Sequence, residues 1–570
     1  MNALKNKLDA LGLVPMSPAP SSRQIEWLQR ERMVFFHFGM NTFTNMEWGD
    51  GTENPSIFNP TELDCRQWIK TIRDAGFTAA ILTAKHHDGF CLWPSKYTEH
   101  SVKNSPYKNG KGDIVKEFTD ACAEFGIKAG LYLSPWDRHE KTWATPDYDD
   151  FYANQLTELL TNYGKIWEIW WDGSQSRNVK YDWARYTDII HTLQPDAVIF
   201  GSLGAEPFVD ARWVGNESGF AGNPCWSTID SSSVVDEITS ELNSGKLDGN
   251  RFLPAEADVS IRPGWFYHSE QDKEVRDVPN LVKLWFLSCG RNSNLLLNLP
   301  PDRRGLVHET DVQNLIRFNE VLTTAFSRDL AKKAKITATD VRSEECRPSN
   351  LTDSDYSTFF ASGDSCTTPE IIFDFEEDVS FNCFGVREVI ELGHRVTGFE
   401  LSALVDGEWM LLADGQCIGN SCFCHFNRIT TKKVRLKITE ALYSPVLRSF
   451  SLYDFDEAYL FEKEYALSDE NILDNGVAKV IRNGNTFDIH LGGIIPFNLI
   501  TVNSPDYKEF DISLFNGFDF EPCPVSFDYS KDLIKIDFSK PIGWCYRISI
   551  EFRNLSEEQL DKIQLGVYLK

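Results

Sequence analysis

Long hydrophobic runs are missing from this chain of 570 residues. No apolar stretch approaches the roughly 20 residues that a membrane helix needs. The first ten residues, MNALKNKLDA, also lack the apolar stretch of a secretory signal. We therefore expect a soluble protein with no membrane insertion, cytoplasmic on the chain as given, and periplasmic or secreted if a signal peptide was removed.

Basic residues are also scarce, since 57 Lys and Arg stand against 84 Asp and Glu, a net charge of −27. Such a field repels a phosphate backbone, so nucleic acid is not an expected partner. The 13 cysteines form no zinc-type quartet, and Cys422 and Cys424 are too close for a CxxC pair. No glycine-rich phosphate loop follows the first predicted strand. The cysteines therefore predict no zinc site, and the missing loop argues against a doubly wound sheet.

Short apolar runs alternate with amphipathic, helix-length stretches from about residue 32 to residue 326. One predicted helix opens at Asn59 and ends at Gly76, and another runs from Asp113 to Phe125 and is stopped by Gly126. Eight strands over this length predict a (β/α)₈ barrel spanning residues 1–330. The predicted strands are 33–38, 78–83, 128–133, 166–171, 197–200, 211–214, 252–261 and 294–299.

The helical period disappears after residue 335, where short alternating strands with turn signals take over. Segments 371–375, 399–403 and 434–438 are clear examples. We predict a β-sandwich over residues 335–455 and a second small β-rich domain over residues 456–570, with strands such as 486–491 and 546–552. The predicted fold class is α/β, a (β/α)₈-type catalytic barrel followed by C-terminal β-sandwich domains.

Polar residues concentrate at the carboxyl ends of the predicted barrel strands, where barrel enzymes build their active sites. Each of several strands is followed by at least one candidate side chain. They are His37, His86, His87, Tyr132, Ser134, Asp172, Ser174, Glu217, Arg262 and Trp265. The sequence therefore predicts one pocket at this end of the barrel.

Asp172 and Glu217 are the candidate catalytic acids, expected after the fourth and sixth strands. Glycoside hydrolysis needs two carboxyl groups: one attacks the anomeric carbon or activates water, and the other protonates the departing oxygen. The charge on one acid raises the pKa of the other, which favours a protonated partner. The alternative is that either residue is only a helix cap or an ion-pair partner.

The pair His86 and His87 could suggest a metal site, but adjacent strand residues point to opposite sides and no HxH or HExxH spacing is present. Imidazoles that bind sugar hydroxyls fit better, with a structural role as the alternative for at least one ring. Arg262 could fix a hydroxyl or orient a carboxylate through its planar fork. Trp48 and Trp265 could stack on a sugar or belong to the core.

Seven ordered segments together resemble glycoside hydrolase family 29, the α-L-fucosidases, over about the first 330 residues. They are 33–40 (MVFFHFGM), 84–90 (AKHHDGF), 130–134 (GLYLS), 170–173 (WWDG), 212–219 (RWVGNESG), 262–268 (RPGWFYH) and 290–301 (GRNSNLLLNLPP). The resemblance implies a cofactor-free retaining exo-α-L-fucosidase with Asp172 as nucleophile. It also implies the fucose pocket, which would consist of His37, Glu47, Trp48, His86, His87, Tyr132, Arg262 and Trp265.

The stretch around Glu217 resembles the branch of that family that cleaves α-1,3 and α-1,4 fucosyl linkages in branched glycans. This resemblance implies that Glu217 is the acid/base and that the substrate is a fucosylated oligosaccharide or glycoconjugate of Lewis type. Segment 339–360 is similar to a discoidin-like, galactose-binding-like sandwich. A fucosidase of other linkage specificity, a transfucosidase and a fucose-binding lectin-like protein stay open as alternatives.

Overall fold

The structure is a computed structural model that describes residues 2–173, 179–201, 204–230, 240–460, 471–474, 478–491, 497–503, 510–515, 520–522, 526–529, 533–542 and 547–568. Two residues named in the sequence predictions, Ser174 and Tyr546, lie outside the described residues.

Eight parallel strands close into a barrel, and their order around the barrel is their order along the chain. The last strand pairs with the first, with Arg32 opposite Leu295. All eight predicted barrel strands have a counterpart in the barrel: seven differ from the prediction only at their ends, and the predicted strand 252–261 is divided. The strands are β1 (Arg32–Phe36), β2 (Ala79–Lys85), β3 (Lys128–Leu133), β4 (Glu168–Trp170), β5 (Val198–Gly201), β6 (Ala211–Trp213), β7 (Ala255–Ser260) and β8 (Ser293–Asn298).

Helices connect most of the barrel strands, although only a short turn at Glu206–Phe208 joins β5 to β6. None of the helices in the described residues is both long and apolar enough to span a membrane. The α-helices of the described chain are Asn2–Ala10, Ser22–Leu28, Met40–Thr44, Cys65–Asp74, Ile114–Phe125, Tyr148–Asn162, Trp183–Leu193, Ser240–Ser244, Val278–Leu287, Glu309–Phe326 and Glu557–Leu560.

Helix ends follow local capping chemistry. The predicted helix at Ile114–Phe125 is confirmed: the Asp113 side chain accepts from a backbone N–H of the first turn, and Gly126 ends the helix with φ of 71°. The helix that precedes β2 begins at Cys65 and not near Asn59, so that prediction was wrong. Asp64 is its cap, because the apolar face that contacts the barrel begins only at Cys65.

The predicted strand 252–261 is divided in two. Arg251–Phe252 pairs with Thr228–Ile229 in a separate two-stranded ribbon, and the barrel strand begins at Ala255. Pro254 lies between the two pieces and has no backbone N–H to donate to a neighbouring strand. The interruption allows the chain to leave the ribbon and enter the barrel.

Beyond the barrel, seven antiparallel strands form one sheet around a large apolar core. Register shifts after Asp374 and Phe381 interrupt the pairing of its two longest strands, as β-bulges do where a sheet bends. The strands are Lys335–Ala338, Phe360–Ala361, Glu370–Glu388, Val396–Val405, Glu408–Gly415, Cys422–Ala441 and Val446–Tyr453.

The chain divides into two compact units. The first contains residues 1–261, 265–267 and 276–461, and the second contains residues 462–570 together with segments 262–264 and 268–275. The second unit has its own apolar core and two antiparallel sheets. One sheet comprises Lys479–Asn483, Thr486–His490, Phe510–Phe515, Phe520–Pro522 and Arg547–Phe552, and the other Phe497–Asn503, Ser526–Tyr529, Leu533–Ile542 and Gln564–Tyr568.

Candidate active site

Two of the candidate residues continue the inward face of a barrel strand beyond the end of that strand. Side chains two residues apart share a face of a strand. Met33 and Phe35 of β1 belong to the barrel core, and His37 continues that face beyond the end of the strand. Trp170 of β4 belongs to the same core, and Asp172 follows it two residues later. The core pattern therefore places both polar groups at the carboxyl end of the barrel.

Asp172 is partly shielded, with its side chain 23% exposed. The Tyr132 hydroxyl donates a hydrogen bond to Asp172 Oδ2 at 3.2 Å. Burial, followed by the charge of Asp172, raises the pKa of Tyr132 well above its usual range, so the phenol stays a donor. His87 Nε2 lies 3.8 Å from the same carboxylate oxygen. The hydrogen bond from Tyr132 orients the carboxylate at the mouth of the barrel.

Glu217 occupies the loop after β6 and has the electrostatics of a general acid. Burial raises its pKa well above the ordinary range, and the charges of Asp258 and Asp172 raise it further. The Trp265 indole Nε1–H donates to Glu217 Oε2 at 3.4 Å and opposes this shift. Glu217 therefore keeps its proton to higher pH than an exposed glutamate does.

The loop that carries Glu217 is braced by side chains. Asn243 Nδ2 donates to the carbonyl oxygens of Val214 and Phe220, at 3.1 Å and 2.9 Å, and so clamps both ends of the loop. Gly215 and Gly219 have φ angles of 80° and 76°, which L side chains rarely adopt. The two glycines are thus required by the turn itself.

Asn298 fixes the tautomer of His37. Its amide nitrogen donates to Ser260 Oγ at 2.9 Å and to the Trp265 carbonyl at 2.8 Å, which leaves its Oδ1 as acceptor for His37 Nδ1–H at 2.9 Å. Burial lowers the pKa of His37 to about 3. The ring is therefore neutral, and its Nε2 is a hydrogen-bond acceptor.

His86 has the opposite tautomer. Asn41 Nδ2 donates to the Glu47 carbonyl oxygen at 3.0 Å and lies 3.3 Å from His86 Nδ1, so Nδ1 accepts from this amide and Nε2 carries the hydrogen. Burial lowers the pKa of His86 well below its usual value, and the ring stays neutral. His86 can therefore donate from Nε2.

His87 pairs with Ser134. The Ser134 hydroxyl donates its hydrogen to the Trp136 carbonyl at 2.6 Å and so accepts from His87 Nδ1–H at 2.8 Å. Burial lowers the pKa of His87. Its neutral ring therefore turns an unprotonated Nε2 towards Asp172.

The two neighbouring histidines lie side by side, with ring centroids 4.1 Å apart. The expectation that they point to opposite sides was wrong, because β2 ends at Lys85 and its pairing with β3 shifts register between Thr83 and Lys85. Among the described residues no group of three or more His, Cys, Asp or Glu side chains is arranged to hold a metal ion.

Two tryptophan side chains contact the histidines. Trp265 lies on the His37 ring, with centroids 4.9 Å apart, and its backbone N–H donates to Glu47 Oε2 at 2.8 Å. Trp48 is 58% exposed and meets the rings of His87 and Trp136 edge-on at 6.2 Å and 6.0 Å. Glu47 thus positions one tryptophan, while the other lies at the rim.

Arg262 follows β7 directly, and its buried guanidinium donates to Asp272 Oδ1 at 2.8 Å. Both residues belong to segments that group with the second compact unit. The role of Arg262 in the pocket stays a prediction.

Three buried carboxyl groups inside the barrel were missed by the sequence predictions, and each accepts a hydrogen bond from an indole. Burial raises the pKa of Glu168 to about 8 and that of Asp258 to about 7. The alternating polar residues at 256, 258 and 260 were the available signal, since they share the inward face of β7. The pairs are Trp27 with Glu168 at 3.2 Å, Trp170 with Glu256 at 2.8 Å and Trp213 with Asp258 at 2.8 Å.

Similarity to known proteins shows the family of the chain. The family profile described as Alpha-L-fucosidase matches residues 17–324, more than half of the chain. The chain belongs to the α-L-fucosidase family. It is 41% identical over 451 residues to alpha-L-fucosidase 1 of Arabidopsis thaliana, covering 77% of this fucosidase and 88% of the plant protein. The chain is thus a glycoside hydrolase.

Solved structures extend the comparison to the fold. A crystal structure of a candidate α-L-fucosidase from Bacteroides thetaiotaomicron is 47% identical with a TM-score of 0.77, and covers 78% of this chain and 99% of its own. A Ruminococcus gnavus fucosidase of glycoside hydrolase family 29, in complex with fucose, is 31% identical with a TM-score of 0.73. That match covers 78% of this chain and 97% of the other.

Proposed function

We propose that this fucosidase is a retaining exo-enzyme that removes α-1,3- and α-1,4-linked fucose from branched, Lewis-type glycans. The observation that carries the proposal is the pairing of Asp172 with Glu217. Two carboxyl groups follow β4 and β6 at one end of the barrel, and the charge of Asp172 helps to raise the pKa of Glu217. One ionised and one protonated acid are the pair that glycoside hydrolysis requires.

In the first step Asp172 attacks the anomeric carbon of fucose. A bond forms between its carboxylate oxygen and that carbon, the glycosidic bond breaks, and the proton of Glu217 moves to the departing oxygen. The Tyr132 hydroxyl and the fixed orientation of the carboxylate support this role, because a positioned nucleophile loses little freedom on attack.

In the second step the ionised Glu217 takes a proton from water, and the water oxygen bonds to the anomeric carbon as the bond to Asp172 breaks. Two displacements at the same carbon retain its configuration. The Trp265 indole, which donates to Glu217, would stabilise the ionised form of this carboxyl between the two steps.

The three histidines would bind the hydroxyl groups of fucose. His37 and His87 each offer an unprotonated Nε2 as acceptor, and His86 offers an Nε2–H donor. A sugar hydroxyl both donates and accepts, so neutral rings of opposite tautomer suit it better than imidazolium ions. The low pKa values caused by burial keep all three rings in that state.

The choice of linkage depends on the loop that carries Glu217. The sequence of this loop resembles that of the family branch that accepts fucose next to a second sugar. Contact energy from that sugar can be used to align the acid for proton donation. The exposed Trp48 at the rim is a flat apolar surface on the outer side of the pocket, as sugar binding there would need.

Two measurements test the proposal. Values of kcat/KM should be far higher for Lewis-type trisaccharides than for α-1,2-linked fucosides or a small aryl fucoside. Equal values would refute the assignment to this branch of the family and would leave the fucosidase activity standing. NMR of the first-formed product should show the α-anomer of fucose. First formation of the β-anomer would refute double displacement while leaving the fucosidase activity intact.

A further inference from the structure

A buried ion pair joins the end of β2 to the loop that follows β3. Lys85, the last residue of β2, is fully buried, and its Nζ donates to Asp137 Oδ2 at 2.7 Å and to Gln155 Oε1 at 3.0 Å. Asp137, with its side chain 2% exposed, lies between β3 and the helix Tyr148–Asn162, which carries Gln155. One ammonium group thus connects a barrel strand, a loop and a helix.

Aromatic rings surround this ion pair. The rings of Tyr148, Phe151 and Tyr152 have their centroids 5.9 Å, 5.4 Å and 5.7 Å from Lys85 Nζ. Burying two charges in such a place costs about as much as their attraction returns, and uncharged residues of similar size are often as stable there. Stability alone therefore does not account for the pair, and its effect is to be sought in the segments that it joins.

The two segments that the ion pair joins also hold His87. The backbone N–H of Ser134 donates to the Lys85 carbonyl at 3.0 Å, and that of Arg138 donates to the His87 carbonyl at 2.9 Å. His87 Nδ1–H donates to the Ser134 hydroxyl at 2.8 Å. The position of the His87 ring therefore depends on the spacing between the end of β2 and the loop after β3.

Asp137 fixes that spacing from the side of the loop. Its Oδ2 binds Lys85, while its Oδ1 accepts the backbone N–H groups of His139 and Glu140 at 3.0 Å and 2.9 Å. Because the two oxygens bind different segments, the carboxylate ties the turn at residues 137–140 to the end of β2.

We propose that Lys85 and Asp137 are positioning residues for His87: their ion pair sets the spacing of the two segments and so holds His87 Nε2 where it meets a hydroxyl group of fucose. This inference rests on the proposed role of His87 as a fucose ligand. Both charged side chains are buried, so neither reaches the sugar, and the pair exchanges no bond in either displacement.

The double variant Lys85→Met/Asp137→Asn tests the pair, because it removes both charges and changes the size of each side chain little. Titration calorimetry with free L-fucose should show binding weakened by about tenfold. The Tm should stay close to that of the wild type, since neither charge is left buried without its partner. Unchanged fucose binding in this variant would overturn the inference.

The two charges act on the pKa of His87 in opposite directions, so the double variant tests position and not protonation. Asp137 raises the pKa of His87, Lys85 lowers it, and burial, which lowers it most, is unaffected. The ring therefore stays neutral when both charges are removed together.

A double-mutant cycle with His87→Ala decides whether the ion pair acts through His87. His87→Ala alone should weaken fucose binding by about tenfold, because a hydrogen bond to the sugar is lost. Removing the ion pair from that variant should then change the Kd by less than about twofold. A further tenfold loss would reveal general loosening of the fold and would overturn the inference.

Arg448→Met/Glu391→Gln is the matched control. Arg448 and Glu391 form a second buried ion pair, with side chains 5% and 13% exposed, between the strand Val446–Tyr453 and the turn Ile390–Leu392. Its removal should leave the Kd of fucose within about twofold of the wild-type value. Equal weakening in the control would overturn the inference.

A second variant and a single replacement keep the test decisive. If Lys85→Met/Asp137→Asn does not fold, Lys85→Gln/Asp137→Asn places two amides that can bond to each other and enters the same cycle. If His87→Ala weakens fucose binding while the double variant binds like the wild type, only the role of the ion pair fails. If His87→Ala binds fucose like the wild type, the role of His87 as a fucose ligand itself fails.

Discussion

At the level of single side chains, hydrogen-bond partners decide what each pocket residue can do. His37 and His86 are the same residue type, yet an amide oxygen fixes one tautomer and an amide nitrogen fixes the other. The sequence predicted both histidines at the barrel mouth because polar residues there follow apolar strands. It could not predict the tautomers, since Asn298 and Asn41 come from distant parts of the chain.

Replacing the proposed acid/base should separate substrates by leaving group. Glu217→Ala should lower kcat on natural fucosylated glycans by about 100-fold or more, because the departing sugar oxygen then lacks its proton donor. Activated aryl fucosides should be largely spared in the first step. Added azide should restore turnover by attacking the intermediate. Steady-state kinetics with and without azide measures this, and an unchanged glycan rate would assign the acid role to another residue.

Metal removal should have no effect on activity. His37, His86 and His87 each use Nδ1 in a hydrogen bond with a neighbouring side chain, and their neutral rings suit hydroxyl groups. Prolonged treatment with EDTA, followed by assay in metal-free buffer, should therefore leave kcat and KM unchanged. A loss of activity that a divalent ion reverses would contradict the assignment of these rings as sugar ligands.

Among the elements, the Glu217 loop depends on its glycines. Gly219→Ala should lower the free energy of unfolding by about 2–4 kcal/mol, because it combines a left-handed backbone angle with a Cβ only 2.9 Å from Val259 Cγ1. Glycan turnover should fall with it, since the displaced loop carries Glu217, the proposed acid. Urea denaturation and kinetics measure both effects.

Gly164 provides the control for backbone strain alone. Its φ of 75° matches that of Gly219, but an added Cβ would meet nothing within 4 Å. Gly164→Ala should cost about 1 kcal/mol and leave kcat/KM unchanged. Equal losses of stability and turnover in the two variants would refute the packing of the loop on β7.

Element boundaries show where sequence prediction succeeds and where it stops. The helix Ile114–Phe125 was predicted because its cap residue and its terminal glycine enclose the apolar face directly. The start of the helix Cys65–Asp74 was misplaced because Asn59 and Asp64 are both good caps, and only packing against the barrel selects the second. Glu256 and Asp258 were missed although they alternate with apolar residues, because an alternating polar face is usually solvent-exposed and only closure of the barrel buries this one.

On the scale of the whole molecule, the barrel and the seven-stranded sheet belong to one compact unit. Glu31, which precedes β1, forms an ion pair with Arg387 at 2.5 Å, and His394 Nε2 accepts the backbone N–H of Ser227 at 2.8 Å. Asn292 Oδ1 accepts from the backbone N–H of Asn420 at 2.8 Å. No sequence period predicts such pairs, because they join residues far apart in the chain.

The stability of the whole fold should fall as pH rises, in part through Glu168. Burial raises the pKa of Glu168 in the folded protein from an ordinary 4.5 to about 8. Between these values the folded state holds a proton that the unfolded state has released, so stability decreases from about pH 5 to pH 8. Glu168→Gln keeps an acceptor for Trp27 and removes this dependence.

Thermal unfolding at a series of pH values checks this expectation. The Tm of the wild type relative to Glu168→Gln should be highest near pH 5 and decline towards pH 8. Glu309→Gln is the control, because ion pairing with Arg304 lowers the pKa of Glu309 to about 2 and its contribution is constant over that range. Parallel Tm profiles for wild type and Glu168→Gln would contradict a neutral buried Glu168.

The central claim is that Asp172 forms a covalent bond to fucose, and trapping that intermediate tests it most directly. A 2-deoxy-2-fluoro-fucosyl fluoride reacts with a nucleophile but turns over slowly, because fluorine destabilises the oxocarbenium-like transition state. Peptide mass spectrometry of the inactivated enzyme should place the added fluorofucosyl mass on Asp172. A label on any other residue, or complete inactivation without a covalent adduct, would contradict the account.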